Sequence, residues 1–332
     1  MSDQKYEALF SLLLDITACI HIPLKLFAFY VIIRHTPPQL RHYSYFTLNT
    51  MFWNFLCNFI AAFIHFYPLY PAVCFRADGI SSHFVKSKDL GYFLYLLIAF
   101  LITECSIALL FAFPHRYIVF VHPQLAARIK PAWVFALCGA LHVLFALLYF
   151  PITSKMGVCF NNCSNMAERN LQIDTQFDFC LKPHMVNIAV ACMYAAGAAV
   201  GIVVIVASSV LFLRKVRKLQ KVITNQETLA MQKKVFASLL TLTGVAMLFG
   251  GVPFVLIVSA FIFPSAPYNR EISMVSLVVL GNHGGVSAIA YLVFFKAYRD
   301  AVKRIFSNLI NRLTGRKTKV HSVVIAQLPN VK

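Results

Sequence analysis

Charge is what this sequence is short of. Of its 332 residues, 13% are charged and 59% are hydrophobic, against about 25% and about 45–50% in soluble domains. So little charge could not cover the surface of a soluble globule of this size, and the mean hydropathy of +0.71 agrees. Acids are scarcest: 12 Asp and Glu stand against 30 Lys and Arg. In a soluble protein a formal charge of +18 would suggest nucleic acid as a partner. In a membrane chain it points instead to loops facing the cytosol, where Lys and Arg accumulate. The composition is that of a polytopic membrane protein.

Other absences argue against catalysis. The 11 histidines include no pair three or four residues apart, so the ligand spacing of membrane metallohydrolases and desaturases is missing. Neither a Gly-x-Ser-x-Gly elbow nor a phosphate-cradling loop occurs. Lys296 lies about 16 Å beyond the centre of the last apolar run at 1.5 Å per residue, too far for a retinal Schiff base. No enzymatic activity, metal or cofactor is expected. Internal repeats are absent too, which weakens an inverted-repeat transporter reading. The first apolar run is too long for a cleaved signal and lacks a small-residue cleavage site.

What is there is apolar and helical in length. Seven runs, residues 9–33, 47–71, 92–113, 132–152, 185–213, 235–263 and 273–295, each reach the roughly 20 residues needed to span a bilayer. An all-α bundle of seven transmembrane helices is predicted over residues 1–298, with a tail over 299–332. If the N-terminus is outside, most Lys and Arg fall in cytosolic segments, while the outer segments balance acids and bases. The C-terminus is then cytosolic. Neither Pro nor Gly occurs between Gly201 and Gly244, so helices five and six should continue past the bilayer as basic stalks. Thr224, Asn225, Gln226 and Glu227 read as a capping box that restarts a helix. In the tail, residues 299–313 place Ala301, Val302, Ile305, Leu309 and Leu313 on one face. Lys303, Arg304 and Arg312 fall largely elsewhere, the pattern of a short amphipathic helix on an anionic leaflet. Beyond Gly315 disorder is expected.

Five of the nine cysteines, Cys19, Cys57, Cys105, Cys138 and Cys192, fall inside apolar runs as small packing residues. Cys74, Cys159, Cys163 and Cys180 all fall in segments the charges place outside, where disulfides persist. Four cysteines allow three pairings, and the sequence does not choose. A bridge from Cys74 to the loop 153–184 would tie the top of helix two to that loop. Asn162 opens an Asn-Cys-Ser glycosylation sequon there, a poor one.

Ionisable groups at membrane depth are costly and mark candidate sites. They are Asp15, Lys25, Glu104, His142 and His283, while Asn54, Asn58 and His65 form a stripe along helix two at helical spacing. One reading is a polar core in which Glu104 pairs with His283 or receives a ligand amine. The other is hydrogen bonding that only holds helices together, and it is the favoured one for the asparagines. Lys25, within two turns of the inner end, is read as snorkelling to the interface. Tyr92 and Tyr95 open helix three just below the outer loops, where pockets in bundles tend to lie. The ligand candidates are therefore His65, Tyr92, Tyr95, Glu104 and His283. At the inner end, Pro114-His115-Arg116-Tyr117 closes helix three beside the stalks. Arg116, Tyr117, Arg214, Lys218, Lys233 and Arg299 are the candidates for contacting a cytosolic partner.

Seven helices and an Arg-Tyr at the inner end of helix three resemble a G-protein-coupled receptor. The first inner loop is more particular: His35-Thr36-Pro37, Leu40-Arg41, Tyr43, Leu48-Asn49 and Phe52-Trp53 are similar to the nematode serpentine chemoreceptors of classes H and I. Helix six opens alike with Gln232-Lys233-Lys234, Phe236 and Leu239, and Pro253 sits where a kink is expected. Helix seven, with His283-Gly284, Ser287 and Lys296-Ala297-Tyr298-Arg299, also resembles that family, and the likeness covers residues 10–306. It implies a chemosensory receptor of the plasma membrane, ciliary or dendritic in a sensory neuron. Such a receptor binds a small molecule within the outer half of the bundle and activates a heterotrimeric G protein. Departures exist: His115 replaces the acid that precedes the arginine in rhodopsin-like receptors, helix seven lacks their Asn-Pro-x-x-Tyr, and Gly250-Gly251 precedes Pro253 where they carry Cys-Trp. Ala297 stands where the family more often has proline. The competing reading is a transporter or ligand-gated channel with a polar path through Asp15, Glu104 and His283.

Overall fold

The computed structural model describes residues 3–37, 41–71, 74–80, 87–121, 123–156, 158–159, 178–181, 185–219, 240–241 and 244–314. The apolar runs become helices because a lipid-facing backbone must satisfy its own hydrogen bonds. In chain order these are α1 (Asp3–His35), α2 (Arg41–Ala61), α3 (Lys88–Val121), α4 (Pro123–Arg128), α5 (Pro131–Thr153) and α6 (Met185–Leu219). A π turn at Met247–Gly251 leads into α7 (Val252–Ile262), followed by α8 (Asn269–Phe294) and α9 (Lys296–Leu313). Six helical stretches among the described residues are long and apolar enough to cross a membrane: Lys5–His35, Asp89–Ala112, Pro131–Thr153, Met185–Lys215, Gly244–Ile262 and Asn269–Phe294. The remaining long helix is α2, which packs along α3, while α1 packs along α8.

One end of the bundle departs from the all-α expectation. Strands β1 (His65–Leu69), β2 (Cys74–Asp78), β3 (Val158–Cys159) and β4 (Asp178–Leu181) form an antiparallel sheet in the order β1-β2-β4-β3. The second apolar run, expected to stay helical to residue 71, leaves the helix at Ala61 and re-forms as β1. Its five residues are all buried, so a buried strand supplied the hydropathy that read as helix. Pro68 lacks the N–H that a helix interior needs, and an edge strand tolerates it. The turn out of β2 needs Gly79: its φ is +92°, and a Cβ there would sit 3.1 Å from the Phe63 carbonyl oxygen.

Register places Cys74 opposite Cys180, and the two form a disulfide. This is the bridge from the top of helix two to the long loop, and it selects one partner among those the sequence left open. Cys159 lies opposite Cys180 on the other side; Cys163 and the Asn162 sequon lie outside the described residues. The sheet is seated by two apolar clusters. Tyr67 and Leu69 pack with Phe10 of α1 and Met274 of α8. Phe66, Phe75 and Phe179 pack with Tyr92 and Tyr95 of α3 and Phe261 of α7. Arg76 adds an ion pair to Glu7 of α1 at 3.1 Å.

Because β2 leads into α3 and β4 into α6, the far ends of those helices lie opposite the sheet. There α3 runs straight through Pro114 to Val121, beyond its expected end at Tyr117. The chain turns through the extended residue Phe295 into α9. Tyr298 and Ala301 are buried against Ala28, Val31 and Ile32 of α1, and the Tyr298 hydroxyl lies 3.0 Å from Thr36 Oγ1. Burial pushes the Tyr298 phenol above its ordinary pKa, partly offset by that hydrogen bond. Phe306, Leu309, Ile310 and Leu313 of α9 are exposed, an apolar edge consistent with the amphipathic pattern. The capping-box motif and Lys233 lie outside the described residues, as does the chain beyond Thr314.

Candidate functional site

A cavity of about 940 Å³ occupies the middle of the bundle, walled by α1, α2, α3, α5, α6, the π turn with α7, and α8. It is lined mostly by apolar and small residues, with Lys25, Asn54 and His283 as its polar corner. That volume suits a drug-sized ligand. The π turn belongs to the wall, through Met247, Leu248, Gly250 and Gly251. One extra residue in a helical turn is a common device at functional sites, and here it falls at the Gly250-Gly251 step before Pro253.

The corner is built by close approach of three helices. On α8, a Cβ at Gly284 would collide with the Asn54 side chain and come within 2.6 Å of Lys25 Nζ. One at Gly285 would come within 2.6 Å of His21 Cδ2. The two glycines therefore let α1 and α2 bring their polar side chains onto α8. His283 Nδ1 lies 2.6 Å from the Leu280 carbonyl, to which it donates. Nε2 is then the acceptor for Asn54 Nδ2 at 2.8 Å. Asn58, one turn along α2, donates to the Gly281 carbonyl at 2.6 Å and serves as helix-to-helix glue. Lys25 is 2% exposed, and its ammonium has no hydrogen-bond partner among the described residues. The snorkelling expected of it is not what it does: it points inward, because the face of α1 that carries it is the face packed on α8.

Of the five expected ligand residues, His283 alone is among the described residues lining this cavity. Glu104 is fully buried and pairs with His142 of α5, not with His283. The Trp53 indole donates to Asn49 Oδ1 at 3.1 Å, turning the Asn49 amide nitrogen toward His142 Nε2 at 3.2 Å. A polar chain thus joins α2, α5 and α3 on the side away from Lys25. Tyr95 packs its ring on Phe75, Phe179 and Phe66, with centroids 4.9, 5.3 and 5.6 Å away. Tyr92 reaches the Thr153 carbonyl at 3.4 Å. These tyrosines seat the sheet. His65, on β1 and not on helix two, bonds Ser11 at 2.8 Å and lies 3.6 Å from Asp15. Burial lowers its pKa below the ordinary 6.5, against the opposing pull of Asp15 and Asp78. Asp15, Glu104 and His283 thus engage three separate sets of neighbours and do not line one path.

At the end opposite the sheet, Arg116 and Tyr117 lie on α3, Arg214 and Lys218 on the last turns of α6, and Arg299 on α9. Tyr117 is half-buried and Arg214 exposed. Arg299 donates to the Val293 carbonyl at 3.2 Å, closing the corner between α8 and α9. His115 lies tilted against Phe46 of α2, centroids 4.5 Å apart.

Residues 5–308 match the family model described as "Serpentine type 7TM GPCR chemoreceptor Srh". The chain belongs to the Srh family of serpentine chemoreceptors. This Srh chain is thereby a multi-pass membrane protein, and its role is chemosensory. The match decides between the two receptor classes that the inner-loop and helix-seven motifs left open. No curated protein matches the sequence. Lys25 is the deep residue that sequence reasoning set aside as snorkelling. Its signal was present in the Gly284-Gly285 pair, which announces that something large on another helix fills that space.

Proposed function

We propose that this Srh chain binds a small molecule in the mid-bundle cavity and, when occupied, activates a heterotrimeric G protein at the end bearing Arg116. The observation that carries this reading is the cavity itself, lined by helices from both halves of the chain, with a polar corner at His283. It lies deeper than the outer half of the bundle. A ligand there touches α3, α6, α7 and α8 together, so it can bias their relative positions, and only a ligand that favours one arrangement shifts the population. The N-terminus and sheet face outward and α9 faces the cytosol. The charge asymmetry of the loops and the disulfide at the sheet end support that orientation. Arg116, Tyr117, Arg214, Lys218, Lys233 and Arg299 form the coupling face, and the receptor resides in the plasma membrane, in a sensory cilium or dendrite.

The test is a small-molecule panel on cells expressing the full chain, read by nucleotide exchange on the G protein. Ala246→Phe narrows the cavity. It should abolish the response of any active compound while leaving surface expression intact. Arg116→Ala should abolish exchange and leave ligand affinity within a few fold. A compound whose response survives Ala246→Phe unchanged would remove the cavity from the proposal.

A further inference from the structure

We infer that the ligand of this cavity is an apolar monocarboxylate whose head group is received by Lys25. The inference rests on reading the cavity as the ligand site. Its starting point is the ammonium: buried to 2% exposure, in the cavity wall, and without a hydrogen-bond or ion-pair partner among the described residues. A charge held away from water and unpaired is among the costliest groups a fold can carry. Among the described residues, the two acids at membrane depth lie against other partners. Glu104 pairs with His142 on the far side of α3, and Asp15 sits by His65 beneath the sheet. Its neighbours are Asn54 and Gly284, the Cys57 and Cys105 thiols, and the His21 and His283 imidazoles.

The rest of the wall sets the class of ligand. Lys25 is the one Lys, Arg, Asp or Glu among the described lining residues, so a single negative charge is matched and a phosphate dianion is not. Among the described lining residues no carboxylate is present to receive an amine, which disfavours amines and zwitterions such as amino acids. His283 and Asn54 are bonded to one another, leaving the ammonium as the strong donor. The remaining wall is dominated by Ile, Leu, Val, Phe and Gly, which asks for an apolar body. A carboxylate accepts charge-assisted hydrogen bonds from an ammonium, and both groups then lose their exposure to a medium that cannot solvate them.

The experiment uses the full-length receptor in cells and in nanodiscs. The probes are hexanoate, octanoate and decanoate, each with its methyl ester and its primary amine, and oleate as a membrane-borne member of the same chemistry. The carboxylates should act where esters and amines do not. Best potency among the short acids identifies a water-borne ligand, and best potency for oleate a bilayer-borne one; either supports the inference. Lys25→Met should weaken carboxylate potency about 10- to 100-fold, and Lys25→Arg should retain part of it. Should Lys25→Met fail to reach the surface, the wild-type series decides alone. Esters or amines acting as well as acids, with Ala246→Phe abolishing both, would overturn the carboxylate inference and leave the cavity reading intact. Carboxylate responses untouched by both Ala246→Phe and Lys25→Met would overturn both.

Discussion

The two sides of this bundle are built on opposite rules. Where α2, α3 and α5 meet, polar groups bond from helix to helix and rings interlock, with Glu104 Oε1 the atom of that chain left without a hydrogen-bond partner among the described residues. Trp53, Asn49, His142 and Glu104 form one chain; Phe100 stacks on Phe145 at 5.8 Å; and the Tyr149 hydroxyl donates to the Leu96 carbonyl at 2.9 Å. Across the bundle, α6, the π turn with the helical residues just before it, and α8 contribute glycines to the wall, at 197, 201, 244, 250, 251 and 284. There the Lys25 ammonium is left unpaired. The first side has little room to rearrange without losing bonds. The second has room because side chains are missing from it, and that is where a small molecule fits.

Mutations should expose the difference. Removing Glu104 with alanine should produce the largest loss, about 3–5 kcal/mol, because it empties a fully buried site and leaves half-buried His142 without its partner. Thermal unfolding in detergent measures this, and a smaller loss in Glu104→Ala with His142→Ala than in the single variant would show the coupling. Replacing Cys74 and Cys180 with serine should cost about 2–4 kcal/mol, read as a lower melting temperature and reduced surface delivery. An unchanged melting temperature would mean that the aromatic clusters hold the sheet alone. Gly284→Ala should cost about 1–3 kcal/mol by overpacking. It sits where the two sides meet, and trimming Asn54 to alanine in the same chain should recover part of the loss.

A milder effect belongs to His65. Its folded pKa lies below the ordinary 6.5, so between those two values the unfolded chain binds more protons. Stability is therefore complete above about pH 6.5 and declines as pH falls toward the folded value. His65→Gln should flatten that acid limb, and a limb of unchanged slope would assign it to other groups. The smallest effect is expected from Arg214→Ala, an exposed charge at the end of α6, with signalling potency altered by less than about five-fold.

Much of this architecture can be read from the chain. Six apolar runs became spanning helices because length and hydropathy suffice for that inference. Helix two misled because β1 is buried along its whole length, and periodicity does not separate a buried strand from a helix. Pro68 was the available warning. The outer cysteines were grouped correctly, yet pairing Cys74 with Cys180 required strand register, which depends on residues a hundred positions apart. Glu104 was recognised as deep and costly, but depth along a helix does not tell which neighbour its face meets. Its partner proved to be His142. Lys25 was misread for the same reason, since its distance from the inner end favoured snorkelling while its azimuth pointed inward.

Gly284 also makes the receptor's polar corner a problem of shared volume. The space its missing side chain would fill is occupied by Asn54 from one helix and Lys25 from another. The three positions therefore divide a fixed allotment of space. A library randomised at 25, 54 and 284 and sorted for surface delivery should return triplets of nearly constant combined size. Those that enlarge position 284 would do so by shortening position 25 or 54. Such receptors would fold with the cavity floor redrawn, and a family using this crossing can change the chemistry of its ligand without moving a helix.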